Sequence, residues 1–208
     1  MIGIVDYDVG NVASIANMLA KVGSKSMITR DHGALREATK IILPGVGAFD
    51  TAILNLRDLG LYDLMNELVL ERRKPTLGVC LGAQLVGKGS EEGRLPGFGW
   101  LDFELVRFRP NEGERLKVPH MGWNEVTPTR PDIALFADVP RPMRFYFVHS
   151  YFMVPADPTI ALATTAYAGG FTSVVGKGNV LAVQFHPEKS HKYGIALYRY
   201  FLEKFEEC

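Results

Sequence analysis

The chain has 208 residues, 47% of them apolar, which is enough for one substantial core without a disulfide framework. Its 23 basic and 23 acidic side chains cancel, which argues against nucleic acid or an anionic membrane surface as a partner. The two cysteines, Cys80 and Cys208, are no secreted scaffold, no apolar run reaches the roughly 20 residues of a membrane span, and Ile2-Gly3-Ile4-Val5 opens the chain without signal-peptide character, so a cytoplasmic domain is expected.

Ile2 to Val5 reads as a buried strand. Asn11 is placed to cap a helix with Val12, Ile15, Ala16, Leu19 and Val22 on one side and Gly23 as its stop. Ser26 to Thr29 is a weaker strand, and Ile41-Ile42-Leu43 is a fully apolar one ended by Pro44-Gly45. Leu61, Leu64, Met65 and Leu68 form a helical stripe; Thr76 to Val79 is the next strand, and Leu81 opens a helix. This alternation predicts a parallel sheet covered on both faces. The second half is aromatic and strand-rich, with predicted strands over 100–108, 125–127, 144–151, 160–167 and 171–175. Gly176-Lys177-Gly178-Asn179 reads as a hairpin turn before a strand over 180–185. A last helix places Ile195, Tyr198, Leu202 and Phe205 on one face. No repeat or linker divides the chain, so a single three-layer α/β domain is expected over residues 1–208.

Gly78-Val79-Cys80-Leu81-Gly82 has the form G-x-C-x-G where a strand meets a helix. In a nucleophile elbow the glycines relieve crowding around a sharply turned residue that projects at the sheet's carboxyl edge. A free thiol is only about 3% ionised at neutral pH, so such a cysteine needs help from its surroundings. Taken alone, Cys80 is equally well a small core residue. Gln184-Phe185-His186-Pro187-Glu188 follows the last predicted strand. A nucleophilic thiol needs a base and the base an orienting acceptor, roles open to His186 and Glu188. A lone His-Pro-Glu is usually a solvated loop; its occurrence beside the elbow changes that weighting. His32 and His191 lie in polar stretches and read as solvated, His120 and His149 as packed or interfacial. No cluster of His, Cys, Asp and Glu has metal-ligand spacing, and neither metal nor cofactor is expected.

Gly-Val-Cys-Leu-Gly-Ala-Gln at 78–84 and Gln-Phe-His-Pro-Glu at 184–188 resemble the motifs of the class I, triad-type glutamine amidotransferases. Within that family the chain is similar to the glutaminase subunits of imidazole glycerol phosphate synthase. Four stretches carry this likeness: Leu43-Pro44-Gly45-Val46-Gly47, Gly89-Ser90-Glu91-Glu92-Gly93, Pro119-His120-Met121-Gly122-Trp123-Asn124 and Phe145-Tyr146-Phe147-Val148-His149-Ser150. The resemblance implies a largely parallel mixed sheet with an additional small antiparallel β region. It implies that Cys80 attacks the glutamine amide, His186 transfers the proton and Glu188 orients His186. It further implies an oxyanion hole from the N–H groups of Val46 and Leu81, and a glutamine pocket of Gly45, Gly47, Gln84, Glu92, Ser150 and Tyr151. Family members are thought to rearrange a peptide at Val46 before the hole is complete; a valine held at positive φ there is strained. Ammonia would pass to a (β/α)8-barrel synthase subunit of a heterodimer, met through Lys189, Trp123, Asn124 and Tyr146. Ala83, Gly87-Lys88-Gly89, Tyr7-Asp8-Val9-Gly10-Asn11 and Ser190-His191-Lys192-Tyr193-Gly194 depart from the usual pattern. They are similar to paralogues that supply ammonia for amino or amidino sugars in surface-glycan biosynthesis, so that acceptor pathway stays open. A stand-alone cysteine hydrolase and a non-catalytic scaffold are the rival classes.

Overall fold

Four short strands buried on both faces, with a fifth, less buried strand at the edge, form the parallel half of the sheet. They are β1 (Ile2–Val5), β2 (Ser26–Thr29), β3 (Lys40–Leu43), β4 (Thr76–Val79) and, far later in the chain, β13 (Val180–Val183). The structure is a computed structural model and describes residues 1–109 and 116–208. The order β2-β1-β3-β4-β13 is parallel throughout. Alternate side chains enter two cores: Ile4, Leu77 and Val183 on one face, Val5, Ile41 and Ala182 on the other. Burial on both faces explains why β1, β3, β4 and β13 read as apolar runs, and the half-exposed edge position of β2 why it reads as a weaker strand.

The intervening helices cover the two faces. These are α1 (Val12–Lys21), α2 (His32–Glu37), α3 (Phe49–Asp58), α4 (Leu61–Asn66) and α5 (Leu81–Leu85), with α6 (His191–Glu203) closing the chain. Helices α1 and α6 share one core through Ile15, Leu19, Leu197 and Phe201; α2 to α5 share the other through Leu35, Phe49, Leu61 and Leu85. Asn11 caps α1, its side chain accepting from Ser14 N–H at 3.4 Å. The Leu61 stripe continues past α4 as a π-helical turn, Glu67–Glu71, which buries Leu68.

Beyond β13 the sheet turns antiparallel. It runs on through β12 (Phe171–Lys177), β10 (Tyr151–Pro155), β6 (Phe103–Arg107) and β5 (Gly89–Ser90), the last pair parallel. Strands β11 (Ala161–Thr165) and β8 (Thr127–Pro128) attach beside β12. A separate two-stranded ribbon pairs β7 (His120–Glu125) with β9 (Arg144–His149), antiparallel. This is the expected mixed, largely parallel sheet with a small antiparallel region.

Several boundaries differ from expectation. The strand predicted over 144–151 is two strands: at Ser150 the chain leaves the ribbon (β9) and enters the main sheet (β10), although the in-out alternation carries straight through. The ribbon's other half, β7, begins at His120 rather than at Glu125, because Gly122, Asn124 and His120 carry little strand propensity. Helices α2 and α3 lie outside the predicted elements; α2 spans six residues and includes Gly33, and α3 starts after Ala48 without a side-chain cap. On α6 the buried face is Gly194, Leu197, Tyr198 and Phe201, leaving Ile195 and Leu202 at its margin. Gly194 sets that rotation: a Cβ there would overlap the Pro187 carbonyl.

Candidate active site

β4 and β13 are neighbours in register, Val79 opposite Val183, so Cys80 and the 184–188 segment leave the sheet side by side. Cys80 N–H donates to Val183 O at 2.9 Å, tying the two strand ends together. Cys80 sits at φ 53°, ψ −110°, a strained conformation for a residue with a Cβ. The flanking glycines are required by space. A Cβ on Gly78 would lie 2.8 Å from Ala83 Cα, and one on Gly82 would lie 2.8 Å from Pro44 O and overlap Leu43 O.

His186 is held through its backbone. Its N–H donates to Tyr146 O at 2.9 Å, and its carbonyl accepts from Ser190 Oγ at 2.6 Å. Ser190 Oγ in turn accepts from Tyr146 N–H at 3.0 Å, so one hydroxyl joins β9 to the turn after β13. His186 Nδ1 bonds Glu188 Oε1 at 2.7 Å, both side chains nearly inaccessible. Burial works against charge on the imidazole, but Cys80 and Glu188 on either side outweigh it and His186 is pushed up to about 10. Nδ1–H then faces the carboxylate, and Nε2, buried and without a hydrogen-bond partner among the described residues, is the atom left for the thiol side. In this geometry Cys80 Sγ lies 4.0 Å from Val148 O and 4.0 Å from Gln184 Nε2.

Behind the nucleophile is a buried polar wall. Gln84 Nε2 donates to Gln184 Oε1 at 3.0 Å and to Tyr151 O at 3.3 Å. Tyr151 O also accepts from His149 Nδ1 at 2.8 Å. His149 Nε2 lies 3.0 Å from His120 Nδ1, and His120 Nε2 lies 3.2 Å from Asn124 Nδ2. Burial lowers both histidines, His149 to about 3 and His120 to about 4, so both are neutral near pH 7. A carbonyl only accepts, so His149 carries its proton on Nδ1. Its bare Nε2 takes a bond from His120 Nδ1–H, whose bare Nε2 takes one from Asn124. Every hydrogen in the row points from the ribbon toward Tyr151.

These walls enclose a cavity of about 290 Å³, near the lower end of ligand pockets and suited to one amino acid. Of the residues singled out in the sequence, Val46, Gly47, Cys80, Leu81, Gln84, Glu92, Ser150, Tyr151 and His186 line it. Glu92 Oε2 accepts from Phe49 N–H at 3.0 Å. Glu188 stands behind His186 and Gly45 behind Leu81, where a Cβ on Gly45 would come within 2.8 Å of Leu81 Cβ. Leu81 N–H donates to Gly45 O at 3.3 Å. A trans peptide points its C=O and N–H to opposite sides, so Val46 N–H is turned away from Leu81 N–H. Val46 lies outside the left-handed region in this arrangement.

Trp123, Tyr146 and Lys189 come together beside the turn that carries His186. Trp123 and Tyr146 face each other across the ribbon, and Lys189 Nζ lies 5.7 Å from the Tyr146 ring. Asn124 does not join them; its side chain points to the other face, bonding His120 and, at 3.1 Å, Ala166 O. His191 is exposed and stacks parallel to Trp123, whereas His32 is partly buried near Leu59 O. His149, Gln184 and Ser190 had no part in the sequence-based site. The inward phase of Phe145, Phe147 and His149 on one strand was the legible sign of the first. Among the described residues no group of three or more His, Cys, Asp or Glu is placed to hold a metal.

The model of the class-I glutamine amidotransferases matches residues 3–204. The chain belongs to this family. It is 48% identical over 203 residues to the imidazole glycerol phosphate synthase subunit HisH 2 of Pseudomonas aeruginosa, covering 98% of this chain and 99% of the relative. It is 47% identical to the subunit of the same name from Methanococcus maripaludis, over 98% of this chain and all of the relative. A subunit HisH from Leptospira interrogans is 42% identical over 97% and 98% of the two chains. Among solved structures, a crystal structure of a glutamine amidotransferase superposes with a TM-score of 0.68 at 22% identity, over 97% of both chains. The glutaminase domain of Trypanosoma brucei CTPS with bound acivicin gives 0.61 at 16% identity, over 97% and 91%. These two likenesses speak to the class-I amidotransferase fold.

Proposed function

We propose that the chain is the glutaminase subunit of an imidazole glycerol phosphate synthase. It would hydrolyse glutamine and pass the ammonia to a (β/α)8-barrel cyclase subunit in the cytoplasmic pathway to histidine. The observation that carries this reading is the pairing of Cys80 with His186–Glu188 across a glutamine-sized cavity. It occurs in a chain 42–48% identical to synthase subunits along nearly their whole length. The names of those relatives favour this acceptor over the surface-glycan paralogue. Among the described residues no helix is long and apolar enough to cross a membrane.

The chemistry follows from the geometry. Cys80 Sγ attacks the side-chain amide carbon of glutamine, and the carbonyl oxygen becomes an oxyanion. Leu81 N–H is one donor for it; Val46 N–H becomes the second once the Gly45–Val46 peptide turns over. His186 takes the proton of the attacking thiol and gives it to the departing nitrogen, and ammonia leaves a thioester. Water deprotonated by His186 then releases glutamate and regenerates the thiol. Glu188 fixes the imidazole with Nε2 toward the reacting atoms. Ammonia would leave past the Trp123, Tyr146 and Lys189 face, which the barrel subunit covers.

The test is reconstitution with a cyclase subunit. Cys80→Ala should abolish synthesis driven by glutamine and leave synthesis driven by ammonium salts at the wild-type rate, because free ammonia bypasses amide cleavage. Glutamine-dependent synthesis in that variant would remove Cys80 from the mechanism. Glutaminase activity of the chain alone, unchanged by the barrel, would favour a free-standing hydrolase.

A further inference from the structure

A carboxamide carries a donor at one end and an acceptor at the other, and its partners fix which way it faces. Two such groups meet behind Cys80. Gln84 Nε2 lies 3.3 Å from Tyr151 O and 3.0 Å from Gln184 Oε1, and Gln184 Nε2 lies 4.0 Å from Cys80 Sγ. Tyr151 O only accepts, and it is itself held by His149 Nδ1–H at 2.8 Å. Turning Gln84 over would set its oxygen against that carbonyl, so its NH2 group stays there. Turning Gln184 over would then set two NH2 groups against each other. One backbone carbonyl thus dictates both amides, and the end of Gln184 left facing the sulfur is the donor end.

The sulfur sits in a nearly sealed place. Cys80 is 6% exposed, His186 1% and Gln184 not at all. Water therefore does little to solvate charge on Sγ, and an oriented dipole counts for more there than at a surface. Val148 O, 4.0 Å from the sulfur, accepts from the thiol and favours its protonated form. The titratable groups whose charges bear on Sγ are His186, with Glu188 behind it, and Tyr7 at the end of β1, whose phenol burial keeps neutral. Gln184 presents positive charge to the ionised sulfur without titrating. At 4.0 Å the contact is long even for sulfur, so it acts as an aimed dipole more than as a tight bond.

We propose that Gln184 is a further catalytic residue: its side-chain N–H stabilises negative charge on Cys80 Sγ, and Tyr151 O, acting through Gln84, keeps that N–H aimed. This rests on the reading of Cys80 as the nucleophile. The contact serves twice. Before attack it favours the sulfur that has given its proton to His186. In breakdown of the thioester, water deprotonated by His186 adds to the carbonyl carbon and the C–S bond breaks. The electron pair of that bond returns to Sγ, in front of the same N–H, and the proton then comes back from His186. Leu81 N–H serves the oxygen of the intermediate, and Gln184 serves the sulfur.

The decisive variant is Gln184→Met, which keeps the length of the side chain and removes the donor. Iodoacetamide reads the sulfur of the full chain without glutamine, oxyanion hole or barrel subunit, and mass spectrometry of the Cys80 peptide keeps Cys208 out of the reading. We expect alkylation at pH 7 to slow by about three- to tenfold and the rate–pH curve to move to higher pH. The limiting rate at high pH should be equal or greater, because a less stabilised thiolate is the stronger nucleophile. In the complex with the barrel, kcat for glutamine hydrolysis should fall by a similar factor with KM within about twofold. Gln84→Met leaves Gln184 in place but free to turn, and should slow alkylation in the same direction by a smaller factor. A measurement on the wild-type chain needs no variant of either glutamine: the Gln184 NH2 signals in NMR should shift with pH as Cys80 ionises, and should not do so in Cys80→Ala. Superimposable alkylation curves for wild type and Gln184→Met would overturn the proposal, as would NH2 signals indifferent to the state of the sulfur. Faster alkylation at every pH, the mark of a merely loosened fold, would overturn it too. Should Cys80→Ala still hydrolyse glutamine, the reading of Cys80 as nucleophile falls, while alkylation and NMR still decide whether Gln184 acts on the sulfur.

Discussion

Leu81 N–H and Gly45 O, 3.3 Å apart, form the smallest feature with a large effect on the site. The carbonyl occupies a donor that a tetrahedral intermediate would need, and one missing oxyanion donor slows such reactions by roughly 100- to 1000-fold. Turning the peptide over would carry Val46 from its present backbone region toward positive φ, where a β-branched residue is disfavoured by about 1–2 kcal/mol or more. Val46→Gly removes that cost. Basal glutamine hydrolysis by the chain without its partner should then rise by about tenfold; steady-state ammonia release measures it, and a variant no faster than wild type would show the barrier lies elsewhere. Much of the site at this scale was readable in the sequence. Cys80, His186 and Glu188 stand in short motifs at strand ends, and Gly78, Gly82 and Gly45 mark places where only hydrogen fits. Ser190 and Gln184 were not readable, because each acts through a neighbour that only the folded chain supplies.

At the scale of elements, the triad turn after β13 is held from two sides, by α6 below and by the ribbon strand β9 beside it. Ser190 is the join to the ribbon, accepting from Tyr146 N–H and donating to His186 O. Ser190→Ala would leave Tyr146 N–H unmatched and strip His186 O of one of its two bonds, the other coming from Lys189 N–H at 3.1 Å, at about 1–3 kcal/mol before relaxation. A Tm lower by about 4–8 °C in a chain of this size is expected, with weaker glutaminase turnover as the turn loosens. Scanning calorimetry and the hydrolysis assay check both, and an unchanged Tm would show that the turn is held without this hydroxyl. The same elements explain where sequence reading succeeded and stopped. β1, β3 and β4 were plain because strands buried on two faces are unbroken apolar runs. The strand break at Ser150 was hidden because alternation is blind to a change of sheet. The buried face of α6 was misplaced because it depends on how closely Gly194 approaches Pro187, a tertiary contact with no periodicity of its own.

At the scale of the whole molecule, adjacency of β4 and β13 is what brings Cys80 and His186 together, and the ribbon contributes His149 to the cavity wall with His120 bonded behind it. His149 and His120 are held near 3 and 4, below the unfolded value of about 6.5. Below pH 6.5 the unfolded chain therefore binds more protons than the folded one. The stability these groups contribute is complete above about 6.5 and is lost as pH falls toward 4 and then 3. By pH 5, before most carboxylates titrate, the loss should be on the order of 2 kcal/mol per histidine. Tm measured from pH 7 to 5 should fall accordingly, and less steeply in His120→Gln; parallel curves for the two proteins would contradict this. The fixed order of hydrogens from Asn124 through His120 and His149 to Tyr151 has an electrical consequence. Each neutral imidazole is a dipole with its positive end at the N–H, and here both are set head to tail. The row works as a short battery wired across the ribbon, positive pole at the pocket wall and negative pole toward Asn124, giving that wall a positive potential from two uncharged rings.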